Sequence, residues 1–199
     1  VHLMVHANPD GRKQAESGLL WRKNVDNDHC TGSNNRGVDL NRNFGFFWAS
    51  CAPELGCSSS SPCSGTFRGP SAASEPEIQA IQGHILASFP DQRGPLLTDP
   101  APADATGVYL DIHSFGQLIL TPWGFQDPNV APAPNGVAFR TGARKFARLS
   151  GYDPSLFIYE VDRASADFGY GELGIAASAW EIGTAFFESC PSFEANIVP

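Results

Sequence analysis

The sequence predicts an α/β fold, a sandwich of helices packed on a sheet, and three observations carry that prediction. Apolar runs of strand length recur at 108–112, 117–120, 156–161 and 176–182. Other stretches place apolar residues at helical spacing: Ile78, Ile81, Ile85 and Phe89 in one, Phe139, Phe146 and Leu149 in another. The two kinds of element alternate along 199 residues with no internal repeat and no linker, which fits one α/β domain or a large piece of one.

The elements follow in order. Residues 1–7 read as a strand that ends at the turn Asn8-Pro9-Asp10-Gly11. From 24 to 73 the chain is rich in Asn, Ser, Gly and Pro, and an irregular stretch this long in a compact domain usually has a function. A helix follows, with Ser74 as its N-cap and Glu77 three residues on, the pattern of a capping box. The second helix runs from a cap at Asn135 to a stop at Gly151. The chain opens on Val1-His2-Leu3-Met4-Val5, as if in mid-strand, and reaches Val198-Pro199 without a closing element. A piece of a longer domain is the expectation.

Composition narrows the function. Hydrophobic residues make up 42% and charged residues 17%, too apolar for a disordered chain. No apolar run approaches the ~18 residues of a membrane span. Thirteen basic residues stand against 21 acidic ones, net −8, so no basic surplus exists for a phosphate backbone, and neither nucleic acid nor membrane is an expected partner. The cysteines are Cys30, Cys51, Cys57, Cys63 and Cys190, and none of their spacings is the C-x2-C of a zinc cluster. Disulfides in a secreted, extracellular setting fit better. The short closures are Cys51 with Cys57 and Cys30 with Cys63, which leaves Cys190 unpaired, buried or bonded outside the chain.

Some polar residues stand out against these apolar runs. His113 ends a strand and precedes Ser114-Phe115-Gly116, a position used for ligands and catalytic groups and equally open to a satisfied core histidine. Glu181 lies in Ala-Trp-Glu-Ile, where a carboxylate is costly unless paired, near a metal, or turned to water at the strand end. Burial there would raise its pKa toward the range of a general base. Arg22 and Arg42 sit in turn-rich segments, and their forks suit a carboxylate ligand as well as a structural role. His2 and His6 share a face of the first strand and decorate it, or share a metal; His29 reads as exposed, and His84 as solvated or half-buried on its helix.

Taken in order, these segments resemble one family. Asn8-Pro9-Asp10-Gly11, Trp21-Arg22-Lys23-Asn24, Gly37-Val38-Asp39-Leu40-Asn41-Arg42-Asn43-Phe44, Ser74-Glu75-Pro76-Glu77 and Ile112-His113-Ser114-Phe115-Gly116-Gln117 are similar to the zinc metallocarboxypeptidases of the carboxypeptidase A type. Tyr159 and Glu181 extend the likeness at the family's separation. The resemblance implies a three-layer α/β/α sandwich with a mixed, mostly parallel twisted sheet, here missing its N-terminal part. It implies one zinc ion and a monomer that removes the last residue from peptides and proteins. His113 resembles the third zinc ligand and Glu181 the general base. Arg22 resembles the arginine that polarises the scissile carbonyl. Asn41 and Arg42 resemble the clamp on the substrate's terminal carboxylate, and Tyr159 the phenol that covers the bound residue. Asp39 resembles the acid that orients a zinc histidine. Ser114, Phe115 and Ala166 fall at substrate-binding positions. Ala166 at the pocket-floor position and Gly124 at the position where basic-specific members can carry an acid are not acidic, which implies a preference for aromatic or aliphatic ends, while Glu160, Asp162 and Glu172 nearby leave a basic preference open.

One departure is plain. The family takes its first two zinc ligands from a His-x-x-Glu motif, and the third residue after the five histidines is Val5, Pro9, Gly32, Ala87 and Gly116 in turn. In the family that motif precedes Asn-Pro-Asp-Gly by a few dozen residues, and here only residues 1–7 stand before it. The expectation is a single catalytic domain, 1–199, truncated at both ends, from an active parent and inactive alone because catalytic zinc takes three protein ligands. The alternative is a catalytically dead relative that binds peptide C-termini through Arg22, Asn41 and Arg42. Either way the site residues should converge, with His113 and Glu181 close together.

Overall fold

Asn8-Pro9-Asp10 opens a helix where the sequence reads as a turn. In the computed structural model, which describes residues 1–50, 58–155 and 164–198, α1 spans Pro9–Glu16. Asn8 is its N-cap and accepts from the Gly11 N–H at 2.9 Å, and Pro9 takes the first helical position, where its missing N–H costs nothing. The same signal ends a strand or starts a helix, and here it starts one. Residues 1–7 are not the expected strand: no described strand pairs with them, and Val1, Leu3 and Val5 are exposed.

The chain divides into two compact units, residues 1–88 with 161–164, and residues 89–160 with 165–199. The first unit has little regular structure: α1, a 3-10 turn at Leu40–Arg42 and α2 at Pro76–Ser88. Its apolar interior includes Val38, Leu40, Phe44, Phe67 and the disulfide Cys30–Cys63, the pairing expected from loop length. Amide side chains brace the rest. Asn24 accepts from the Val38 N–H at 2.7 Å and donates to Glu75 Oε2 at 2.6 Å, while Asn43 donates to the Arg68 and Ser71 carbonyls at 2.8 and 2.9 Å. Gly37 sits at φ +91 against the Asn24 carbonyl, where a side chain would collide. The second helix begins one residue later than a Ser74 cap requires. Pro76 takes its first position, the Glu75 carbonyl accepts from the Gln79 N–H at 3.0 Å, and Ser74 Oγ donates to Glu75 Oε1. Ile78, Ile81 and Ile85 are buried as their spacing demands.

The second unit is built on a mixed sheet. β1 (Val108–Ser114), β2 (Leu118–Leu120) and β3 (Ala176–Ile182) lie in the order β1-β3-β2, with β1 parallel and β2 antiparallel to β3. Two helices pack on opposite faces. α3 (Gly136–Ser150) sets Phe146 against Trp180, and α4 (Ser165–Leu173) bonds through Ser165 to Asp111, whose side chain leaves the other side of the pleat. This is the helix–sheet–helix layering expected. α3 starts at the Asn135 cap and stops at Gly151, whose φ of +76 suits the C-terminal turn. Its apolar stripe is shorter than expected, since Phe139 and Phe146 meet aromatic rings but Leu149 is 87% exposed. The short helix α4 was invisible in the sequence. It is buried from Ser165 to Gly171 and again at Leu173, so it has no polar face to give it a period, and Gly169 lets it approach Ile175 and Ala177. α5 (Cys190–Asn196) follows, capped by Ser189, with Cys190 a free, exposed thiol. The strand expected at 156–161, Tyr159 and the Cys51–Cys57 pair lie outside the described residues.

Candidate active site

In the first unit, three of the expected residues form one hydrogen-bonded group. Arg22 Nε donates to Asp39 Oδ2 at 3.0 Å, and Arg22 Nη2 donates to Asn41 Oδ1 at 2.9 Å. Asp39 is buried and fixed by its own backbone: its N–H donates to the Phe67 carbonyl and its carbonyl accepts from Arg42. The guanidinium of Arg22 is half exposed, so the ion pair holds a cation in place without hiding it. Asn8 donates to the Arg22 and Lys23 carbonyls at 3.3 and 2.9 Å, which ties the start of α1 to this segment. Arg42 is buried at the end of the 3-10 turn, with Nη1 donating to the Asn41 carbonyl at 3.3 Å.

In the second unit, His113 and Glu181 are register partners on the parallel strands β1 and β3. Paired residues on adjacent strands point to the same face about 5 Å apart. An imidazole and a carboxylate therefore stand side by side at the end of a sheet. His113 Nε2 lies 2.8 Å from Asp111 Oδ2, two residues back on the same face. Burial pushes the Asp111 carboxyl up, but the charge of His113 and the bonds from His113 and Ser165 outweigh it, and the net shift is downward. An ionised acid on one ring nitrogen orients the imidazole, the arrangement typical of metal-binding histidines. Ser114 and Phe115 follow, exposed, with Phe115 edge-on to Phe186 at 4.7 Å. Ala166 is buried in the first turn of α4. Glu172, near the end of that helix, is exposed.

Other histidines resolve simply. His2 and His6 do not share a strand face: His2 pairs with His84 at 2.9 Å and His6 with Arg12 at 2.9 Å. His29 is exposed and edge-on to Phe67. Among the described residues no group of three or more His, Cys, Asp or Glu is placed to hold a metal ion. A catalytic zinc takes three protein ligands, so these residues do not by themselves fit one.

A family model for zinc carboxypeptidases matches residues 1–187. The chain belongs to the zinc carboxypeptidase family. It is 36% identical over 146 residues to a metallocarboxypeptidase A-like protein of Trichophyton verrucosum, a match covering 71% of this chain and 28% of that protein. It is 30% identical over 182 residues to zinc carboxypeptidase A 1 of Drosophila melanogaster, covering 85% of this chain and 36% of that one. The crystal structure of carboxypeptidase A from Helicoverpa armigera superposes with a TM-score of 0.65 at 28% identity, over 94% of this chain and 45% of its own. The chain thus spans about a third of the length of these curated relatives.

Three residues that shape these groups escaped the sequence reading. Asp111 had a readable signal, since a position two residues before His113 must share its face. Asp167 and Arg93 had none, because their partners are backbone groups brought near by folding: the Gly124 N–H for Asp167, and the Asp99, Leu96 and Gly171 carbonyls for Arg93.

Proposed function

We propose that this chain carries the base, the substrate clamp and one metal ligand of a zinc-dependent exopeptidase that removes C-terminal residues, with a preference for aromatic or aliphatic ends. The observation that supports it most directly is the side-by-side pairing of His113 and Glu181 in a chain that matches the zinc carboxypeptidase family over residues 1–187. In this reading Glu181 takes the proton from the attacking water, and the imidazole beside it is its metal-side neighbour. Arg22, held by Asp39 and Asn41, presents a fixed cation to the carbonyl oxygen as charge develops there. Asn41 and Arg42 receive the terminal carboxylate, since a fork of N–H donors reads two oxygens at once. Tyr159 covers the bound residue, and Ser114, Phe115 and Ala166 line its path. The uncharged Ala166 and Gly124 support the apolar preference. No group of three metal ligands stands among the described residues, and in this reading the chain on its own is inactive. The disulfide supports a secreted protein, and its partners are peptide and protein C-termini met as a monomer.

The test is zinc content by metal analysis together with hydrolysis of a peptide ending in Phe. The expected result is less than stoichiometric zinc and no turnover by the chain, with weak binding of the peptide that Arg42→Ala abolishes. Stoichiometric zinc with turnover overturns the inactivity. Peptide binding without turnover when zinc is stoichiometric favours the catalytically dead relative instead.

A further inference from the structure

Asp167 is a buried acid for which the proposed chemistry has no use. It is 1% exposed, in the first turn of α4, among the buried residues Ala166, Phe168 and Tyr170. A carboxylate in such surroundings is costly unless its oxygens are filled. Both are: Oδ1 and Oδ2 each lie 3.0 Å from the Gly124 N–H, and the Phe125 N–H also bonds the carboxylate. Burial pushes the acid up to about 7, against the pull of these two amides.

The grip falls at a telling place. Gly124 has no side chain, so its position is set by its backbone, and a backbone bond is what fixes it. Trp123 before it is fully buried, its ring packed at a tilt against Phe125 and Tyr170. Asp167 directly follows Ala166. One carboxylate thus joins the two positions that the reading above assigns to the pocket for the C-terminal side chain.

We propose that Asp167 is a positioning residue for that pocket: its carboxylate holds the main chain at Gly124 and sets where Gly124 stands relative to Ala166 at the start of α4. The proposal rests on reading Gly124 and Ala166 as pocket positions. A neutral amide supplies one acceptor oxygen where the carboxylate supplies two, so Asp167→Asn should weaken the grip while keeping the shape.

The experiment compares the wild-type chain with Asp167→Asn. Amide hydrogen exchange is followed at Gly124, Phe125 and β3, and affinity is measured for two peptides that differ only in ending in Phe or Ala. In the variant the Gly124 amide should exchange about tenfold faster while β3 is unchanged. The preference for the Phe-ended peptide should fall severalfold, and a bystander acid would leave that ratio alone. Unchanged exchange at Gly124, or faster exchange with an unchanged preference, overturns the positioning role by itself. If the wild-type chain binds neither peptide, the pocket reading fails and the proposal falls with it.

Discussion

Lys23 in the first unit and Arg93 in the second are both buried, and each donates to three backbone carbonyls. Lys23 Nζ bonds Asn35, Pro62 and Ser64 at 2.5, 3.2 and 2.8 Å, and sits 5.7 Å from the centre of the Phe67 ring. Arg93 bonds Asp99, Gly171 and Leu96 at 2.8, 2.8 and 2.7 Å, and lies over Trp123 and Tyr170. The surroundings differ. In the first unit the carbonyls belong to irregular chain with no ladder to satisfy it, so a compact ammonium gathers them and amide side chains and a disulfide do the rest. In the second unit the strands pair through their own backbones, β3 with a neighbour on each side. Arg93 works at one joint, where the last turn of α4 leaves the Gly171 carbonyl open, and its flat guanidinium lies against two aromatic rings. The comparison teaches that a buried cation is chosen by shape: a point charge for scattered carbonyls, a planar fork for a stacked joint.

Breaking the fork should have the largest effect. Arg93→Met leaves three carbonyls without their donor and removes a cation from two rings, and should cost about 4 kcal/mol in urea unfolding. Arg93→Lys keeps the charge but not the fork and should recover less than half of that. Full recovery by lysine would mean that shape does not matter here.

Lys23→Met should cost about 3 kcal/mol, since three carbonyls lose charged donors but no stacked joint is lost. Lys23 holds the carbonyls of Pro62 and Ser64, which flank Cys63. Reducing the Cys30–Cys63 bond alone should cost about 3 kcal/mol. Both changes release the same segment, so together they should cost less than their sum. Strict additivity in a double-mutant cycle would show that the lysine and the disulfide act separately.

The same contrast explains what the sequence revealed. The second unit's regular elements were legible where period and caps agreed: β1 and β3 from their apolar runs, α3 from Asn135 and Gly151. Leu149 misled because it continues the stripe beyond the end of the packed face. α4 stayed hidden because a helix buried all round carries no amphipathic signal. In the first unit the grouping of Arg22, Asp39 and Asn41 was legible from motif order, while the structure holding them was not. Nothing local shows that Asn24 will bond Glu75, or that Lys23 will meet carbonyls as far along the chain as Pro62 and Ser64. Residues 1–7 have strand chemistry without a strand, because pairing needs a partner that sequence pattern does not supply.

The last expected effect is read as a slope with pH. Asp167 is ordinarily an acid of pKa about 4, and in the fold it is pushed up to about 7. The native state therefore holds this proton more tightly than the unfolded chain does. Its contribution to stability is fully present below about pH 4 and is lost as pH rises through about 7, at no more than about 1.4 kcal/mol per pH unit. Urea midpoints measured from pH 4 to 8 should show this decline, and Asp167→Asn, which cannot ionise, should flatten it. The asparagine variant should thus compare best with wild type at pH 8 and worst at pH 4. A slope that survives in Asp167→Asn would place its source elsewhere and leave the Gly124 grip to a carboxyl that is ionised throughout.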